Sequence, residues 1–292
     1  MALLIQAVIL GILSGGVYAL MASGMTLIFG VMRIINVAQG IFVILGAYLS
    51  YKLEQTLHLD LFVGLLLTMP AMFALGVVVQ WAFIRRLKRD DRIMMSFLVT
   101  YAVALVIEGV LTFLFSTNYV QLYAWYVDAT FGVVGFYFRY FDVFAFGLSV
   151  VLLAGLYLLV YRTRFGYSLR ASMQDPTAAA LIGIDVERVS AITLGLGTAL
   201  AAAGGVGFGA GSLFNPASSY DLILRLVVII VLGGLGSLQG ALVASLLMLV
   251  VGSVTTVLWS DTWSRLVFFV LLTVLLVFRP QGLFGRLEAR QQ

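Results

Sequence analysis

Apolar residues in this chain do not alternate with polar ones. They come in long runs separated by short polar breaks, at 5–30, 37–51, 61–84, 93–115, 141–161, 189–211, 222–257 and 265–278. A membrane-spanning helix needs about 20 mostly apolar residues, and most of these runs meet that length. The run 37–51 is short, whereas 222–257 is too long for one crossing and carries Gly233, Gly234 and Gly236 in its middle. It therefore predicts two segments or one broken helix. The pattern predicts an all-α, polytopic transmembrane bundle of about eight to ten segments, some short or broken, forming one domain over 1–292. The opening MALLIQAVIL lacks a basic leader and reads as the start of a retained helix.

Composition supports the bilayer as solvent. Of the 292 residues 62% are hydrophobic and only 10% charged, against about 25% charged in soluble domains. A soluble globule of this size could not bury that apolar surface. There is no cysteine and one histidine, His58, in a short polar hairpin. The lack of cysteine excludes a disulfide framework and a thiolate metal site, and a single loop histidine argues against a catalytic metal site or a histidine-based triad; neither catalytic nor metal-binding residues are expected. The net charge of +4 does not point to nucleic acid, because the basic residues sit at the ends of apolar runs. Arg85, Arg86, Lys88, Arg89 and Arg92 form one cluster, Arg162, Arg164, Arg170 and Arg188 a second, and Arg279, Arg286 and Arg290 a third. Two crossings separate the first two clusters, so both can face the cytoplasm. The segment 116–140, rich in Tyr, Trp and Phe, then lies outside as an interfacial loop.

The second basic loop, 162–188, specifies a short helix. Asp175 is a good N-cap, Pro176 suits the first helical position, and Gly183 suits the left-handed residue that ends a helix. Arg170 precedes this helix and Asp185 follows it. A capped helix with small residues, Ala178 to Ala180, could dock on a soluble partner or simply link two crossings. No G-x-x-x-x-G-K-[ST] motif is present, so ATP-driven transport would require a separate ATPase polypeptide.

Polar groups at membrane depth mark pathways or helix contacts. Asn36, Gln39 and Glu108 stand in apolar surroundings, as does Gln239. Gln39-Gly40 and Gln239-Gly240 each follow a polar or glycine break and precede another apolar run. Interrupted segments in corresponding places of two halves point to a transporter's central site. The expected path residues are Asn36, Gln39, Gly40, Glu108, Gly233, Gly234, Gly236 and Gln239.

Four stretches spread from end to end carry a resemblance: GVYALMASGMTLIFGVMRIINVAQG, LRASMQDPTAAALIGID, VVIIVLGGLGSLQGALVAS and RPQGLFG. Together they resemble the smaller, high-affinity type of branched-chain amino acid ABC transporter permease. The resemblance implies an importer of the bacterial inner membrane. Its expected partners are a second related permease, two cytoplasmic ATP-binding subunits that use the ATP, and an extracytoplasmic solute-binding protein. No cofactor would be bound by this chain itself. It also implies that Arg170, Asp175, Pro176, Thr177, Gly183 and Asp185 belong to the segment that engages an ATPase. The chain departs from the family's usual Asn-Phe-Ala-His-Gly, showing Asn36-Val37-Ala38-Gln39-Gly40. Urea, amides and small organic or aromatic acids therefore stand beside branched-chain amino acids as candidate solutes. An ion-coupled secondary transporter using Glu108 is the alternative of another class.

Overall fold

The computed structural model describes residues 2–87, 92–133, 136–279 and 281–285. Lys88, Arg89, Arg286 and Arg290 lie outside the described residues. The long apolar helices are α1 (Ala2–Met32), α3 (Leu61–Ala82), α4 (Arg92–Phe115), α5 (Tyr140–Arg162), α8 (Val186–Gly211) and α10 (Leu238–Leu258). Among the described residues six helices are long and apolar enough to cross a membrane, and the chain is a multi-pass membrane protein. Shorter ones are α2 (Gln39–Leu57), α9 (Ser218–Gly233) and α11 (Asp261–Phe278), with α6 (Arg164–Gln174) and α7 (Pro176–Leu181) between α5 and α8. The expected break within 222–257 falls at residues 234–237, between α9 and α10. A small antiparallel hairpin, β1 (Thr130–Val133) and β2 (Phe136–Arg139), precedes α5.

Arg85, at the end of α3, pairs with Glu187 at the start of α8 at 2.7 Å. This places the first two basic clusters at one end of the bundle, the cytoplasmic end by the positive-inside rule. Gln6 donates to the Tyr137 carbonyl at 3.0 Å, so α1 starts at the opposite end, beside the aromatic loop. The sequence left that side open.

Helix packing is close because small residues line the contacts. Gly11 and Gly15 of α1 lie against the backbone at Val250 and Leu246 of α10. In the other half Gly76 of α3 lies against Gly195 and Thr198 of α8, where Thr198 donates to the Met72 carbonyl at 2.7 Å. The helix α8 is central, buried among α1, α2 and α3.

The contacts reveal an inverted repeat. Each half opens with a long helix (α1 or α8), then an irregular break, then a short helix that starts deep in the bundle (α2 or α9). One constant offset relates the ends of the long helices, Met32 and Gly211, and the starts of the short ones, Gln39 and Ser218. The residue before each short helix is alanine in the same conformation, Ala38 at φ −68°, ψ −5° and Ala217 at φ −70°, ψ −15°. The major helix contacts exchange accordingly: α1 packs on α10, and its counterpart α8 on α3. Since α1 and α8 run in opposite directions, the halves are inverted. The repeat therefore aligns Asn36-Val37-Ala38-Gln39 with Asn215-Pro216-Ala217-Ser218. That corrects the expected pairing of Gln39-Gly40 with Gln239-Gly240. Gln39 is fully buried at the deep start of α2, whereas Gln239 is exposed at the cytoplasmic turn.

Candidate translocation site and coupling helices

Two helix breaks meet inside the bundle. Broken backbone at this depth must find partners within the protein. At the first break the Val37 amide donates to Thr100 Oγ1 on α4 at 3.3 Å, and that hydroxyl lies 3.4 Å from the Ile35 carbonyl. At the second break Val120 and Phe214 exchange both backbone bonds at 2.9 Å, and Gln121 donates to the Ala210 carbonyl at 2.9 Å. The short helices start against each other: Gly40 leaves room for the backbone of Ser219 and for Ile223.

Asn36 and Gln39 bind one another at 3.3 Å, and Gln39 Nε2 also reaches the carbonyls of Met21 and Gly197 at 3.3 Å. This amide ties α1, α2 and α8 together with no exposed surface. Gln39→Leu strands the buried Asn36 amide, which costs about 1–3 kcal/mol. A correspondingly lower thermal midpoint in detergent is expected; a midpoint equal to the parent's would remove Gln39 as a fastening point.

The other expected path residues lie elsewhere. Glu108 accepts from the Tyr220 hydroxyl at 2.6 Å, on a partly open face between α4 and α9. Gly233, Gly234 and Gly236 form the cytoplasmic α9–α10 turn. There φ of +99° at Gly234 and +81° at Gly236 demands glycine. The tail docks on this turn, with Leu283 donating to Leu232 O at 2.8 Å and Phe284 to Gly233 O at 3.1 Å.

A cavity of about 690 Å³ opens between α1, α5, α8, α9 and α11. None of the eight expected path residues lines it. Ser14, Tyr18, Asn215 and Ser218 do, together with five charged residues: Arg139, Asp142, Asp221, Arg225 and Arg265. Arg139 forks onto Asp142 through two bonds of 3.0 Å. Arg225 pairs with Asp221 one turn earlier at 3.1 Å and lies 5.8 Å over the Phe268 ring. Arg225 and Arg265 are functional candidates that the reading of apolar runs passed over. The available signal was an arginine inside a run otherwise free of charge.

At the cytoplasmic end the expected cap-to-cap helix is present as α7. Asp175 Oδ1 accepts from the amides of Thr177 at 2.8 Å and Ala178 at 3.1 Å, and Pro176 occupies the first turn. Gly183, at φ +88°, closes the helix: its amide bonds Ala180 O, and that of Ile184 bonds Ala179 O, both at 3.0 Å. Asp185 caps α8 through the Arg188 amide at 3.0 Å. The preceding helix α6 was not anticipated. Gly166 lets it fold tightly onto the end of α5, where Arg170 stacks between Tyr161 and Tyr167 and bonds the Val160 carbonyl. Arg170 thus fastens α6 to α5. On its other side Met173 abuts Gly30, next to Gly236. At the end of α7, Leu181 and Ile182 are 85% and 76% exposed.

The permease protein BraD of the high-affinity branched-chain amino acid transport system of Pseudomonas aeruginosa is 28% identical, covering 98% of this chain and 97% of that one. The corresponding LivH of Escherichia coli K12 is 27% identical over the same shares. The probable LivH of Methanocaldococcus jannaschii is 27% identical, over 94% and 90%. Among solved structures, PsaBC from Streptococcus pneumoniae in complex with Fab matches at a TM-score of 0.45 and 15% identity, over 96% of this chain and 91% of that one. The family described as branched-chain amino acid transport system, permease component, matches residues 7–276, and the chain belongs to it.

Proposed function

We propose that this chain is the membrane-spanning permease subunit of an ATP-binding-cassette importer for branched-chain or related amino acids in a bacterial cytoplasmic membrane. It would work with a second permease, two ATP-binding subunits that hydrolyse ATP, and an external solute-binding protein. The observation that carries the reading is α7: a helix fixed at both ends, at the basic end of the bundle, with two large apolar side chains exposed. Two aliphatic side chains on a fixed projection can anchor in a partner's pocket. Asp175, Pro176, Thr177, Gly183 and Asp185 set the shape of that projection, and Arg170 fixes its base.

A push on α7 would pass through α6 and Met173 to Gly30 and the α9–α10 turn, and so to α9, which carries Asp221 and Arg225. The inverted halves suit alternating access, since one half can rock against the other around a central site. The Asn36–Gln39–Gly40 break is the joint of the first half. Glu108, open beside Tyr220, faces the route between the two permeases.

The test is uptake of labelled leucine by cells carrying the complete transporter. Uptake is expected to survive an uncoupler and to fail when ATP is depleted. The reverse pattern, abolished further by Glu108→Gln, would establish an ion-coupled carrier instead. Competition by urea or a short amide stronger than by isoleucine would replace the amino-acid reading.

A further inference from the structure

We infer that the groove between α4 and α9 is the subsite for the protonated amine of the transported solute, with Glu108 as its acceptor and the rings of Tyr101 and Tyr220 beside it. The inference rests on the importer reading and deepens it. A solute held this way carries an ammonium group, which sets amino acids and amines apart from urea, amides and organic acids.

Both α4 and α9 pack on α2, and the bond from Tyr220 to Glu108 at 2.6 Å spans the gap between them. Glu108 lies seven residues before the end of α4, about 10 Å inside that end at a rise of 1.5 Å per residue. A carboxylate at such depth is costly against lipid, so its open side faces water, protein or a cargo. Its surroundings in this chain supply one neutral donor, the Tyr220 hydroxyl. None of the four ion pairs among the described residues includes it. Negative charge so placed calls for a cation.

The neighbouring rings decide which kind. Tyr101 stands two turns before Glu108 on the same face of α4, close enough to Tyr220 to interact with it electrostatically. The two tyrosines are 39% and 44% exposed. An ammonium within about 6 Å of a ring face gains from the ring as well as from the carboxylate. Calcium and magnesium instead call for about six oxygen ligands, and no group of three or more acidic, histidine or cysteine side chains occurs among the described residues. The rest of the groove is apolar: Leu105 lies one turn after Tyr101 and Leu224 one turn after Tyr220, both exposed. An aliphatic body with an ammonium head matches that lining.

The chain has no cysteine, so a thiol introduced beside Glu108 reports binding independently of transport. Thr112 lies one turn nearer the outer end of α4 and is half-buried. In the assembled importer, Thr112→Cys is expected to react faster with a cationic than with an anionic methanethiosulfonate added outside. Leucine and isopentylamine should protect the thiol, whereas 4-methylpentanoate at the same concentration should not. Adding Glu108→Gln should remove the preference for the cationic reagent. It should also raise the half-protecting isopentylamine concentration about ten- to hundred-fold, the worth of one charged hydrogen bond. Glu108→Asp should recover part of that loss, and Tyr101→Leu should raise the concentration about two- to thirty-fold. Copurified ATPase subunits at parental levels show that each variant is assembled. Selective protection by the amine is read in the Thr112→Cys chain alone, so it stands even where a second substitution prevents assembly. Equal protection by 4-methylpentanoate, protection by sodium alone, protection unmoved by Glu108→Gln, or a thiol that reacts neither with nor without ATP overturns the subsite. If uptake survives ATP depletion while the amine still protects, the subsite stands and the importer reading falls.

Discussion

Leu181→Asp combined with Ile182→Asp is expected to abolish ATP-driven uptake while the membrane bundle stays folded. Both side chains are exposed at the end of α7, so their replacement removes no core contact. The helix itself packs mainly on α6 and α8, and among its residues Ala179 alone is buried. Docking a soluble partner on this tip would bury two aliphatic anchors, and truncating such anchors costs about 2–4 kcal/mol in a typical interface. Two carboxylates in the same pocket add desolvation to that loss. Association with the ATPase subunits should fall by roughly thirty-fold or more, since each 1.4 kcal/mol is tenfold. Copurification from detergent reads the association, and vesicle uptake with simultaneous ATPase measurement reads the coupling. Coupled uptake at parental rates would show that the projection is a linker between crossings and not a grip.

Gly205→Leu should have the other large effect, loss of the folded bundle. A side chain at Gly205 on α8 would run into the Val43 carbonyl and lie 3.1 Å from the Ala47 amide on α2. Both are main-chain atoms held in a helical ladder, so relief requires the helices to part. Overpacking of ordinary cores costs about 1–3 kcal/mol, and a backbone collision belongs above that range, comparable to a domain's whole stability of about 5–15 kcal/mol. Gly155→Leu is the control, because nothing lies within 4 Å of that position on α5. It should stay within about 0.5 kcal/mol of the parent. Size-exclusion profiles in detergent separate the outcomes: aggregate for the first, a parental peak for the second. A parental peak from Gly205→Leu would contradict the observed α2–α8 approach.

Runs of apolar residues made the kind of segments legible but left their number at eight to ten, because a bilayer imposes a minimum length on every crossing while short and broken helices fall below it. Basic clusters marked one end of the bundle, and Asp175, Pro176 and Gly183 marked α7 almost to the residue, since caps are local chemistry. The helix α6 was not legible: its start at Thr163 and its fold onto α5 depend on Gly166 and Arg170 meeting the end of α5, a contact distant in no obvious pattern. The cavity was missed for a related reason. The Arg139–Asp142 pair, the Asp221–Arg225 pair and Arg265 come from three distant places in the chain, and only the bundle gathers them. The repeat was sought at Gln-Gly, a pair that recurs by accident, when its conserved feature is an Asn-x-Ala turn before a deep helix start.

The inverted halves also explain why their sequences look so unlike. The link between α3 and α4 holds Arg85 and Arg86, and the link in the same place of the second half, between α10 and α11, reads Trp259-Ser260. Equivalent in the fold, these links sit on opposite faces of the bilayer, of which only the cytoplasmic one favours arginine. The single crossing of α5, which belongs to neither half, creates that difference. It changes the parity of the chain, so that the second half enters from the side the first did not. One extra or missing crossing there would present the whole second half, its cavity wall included, to the wrong compartment.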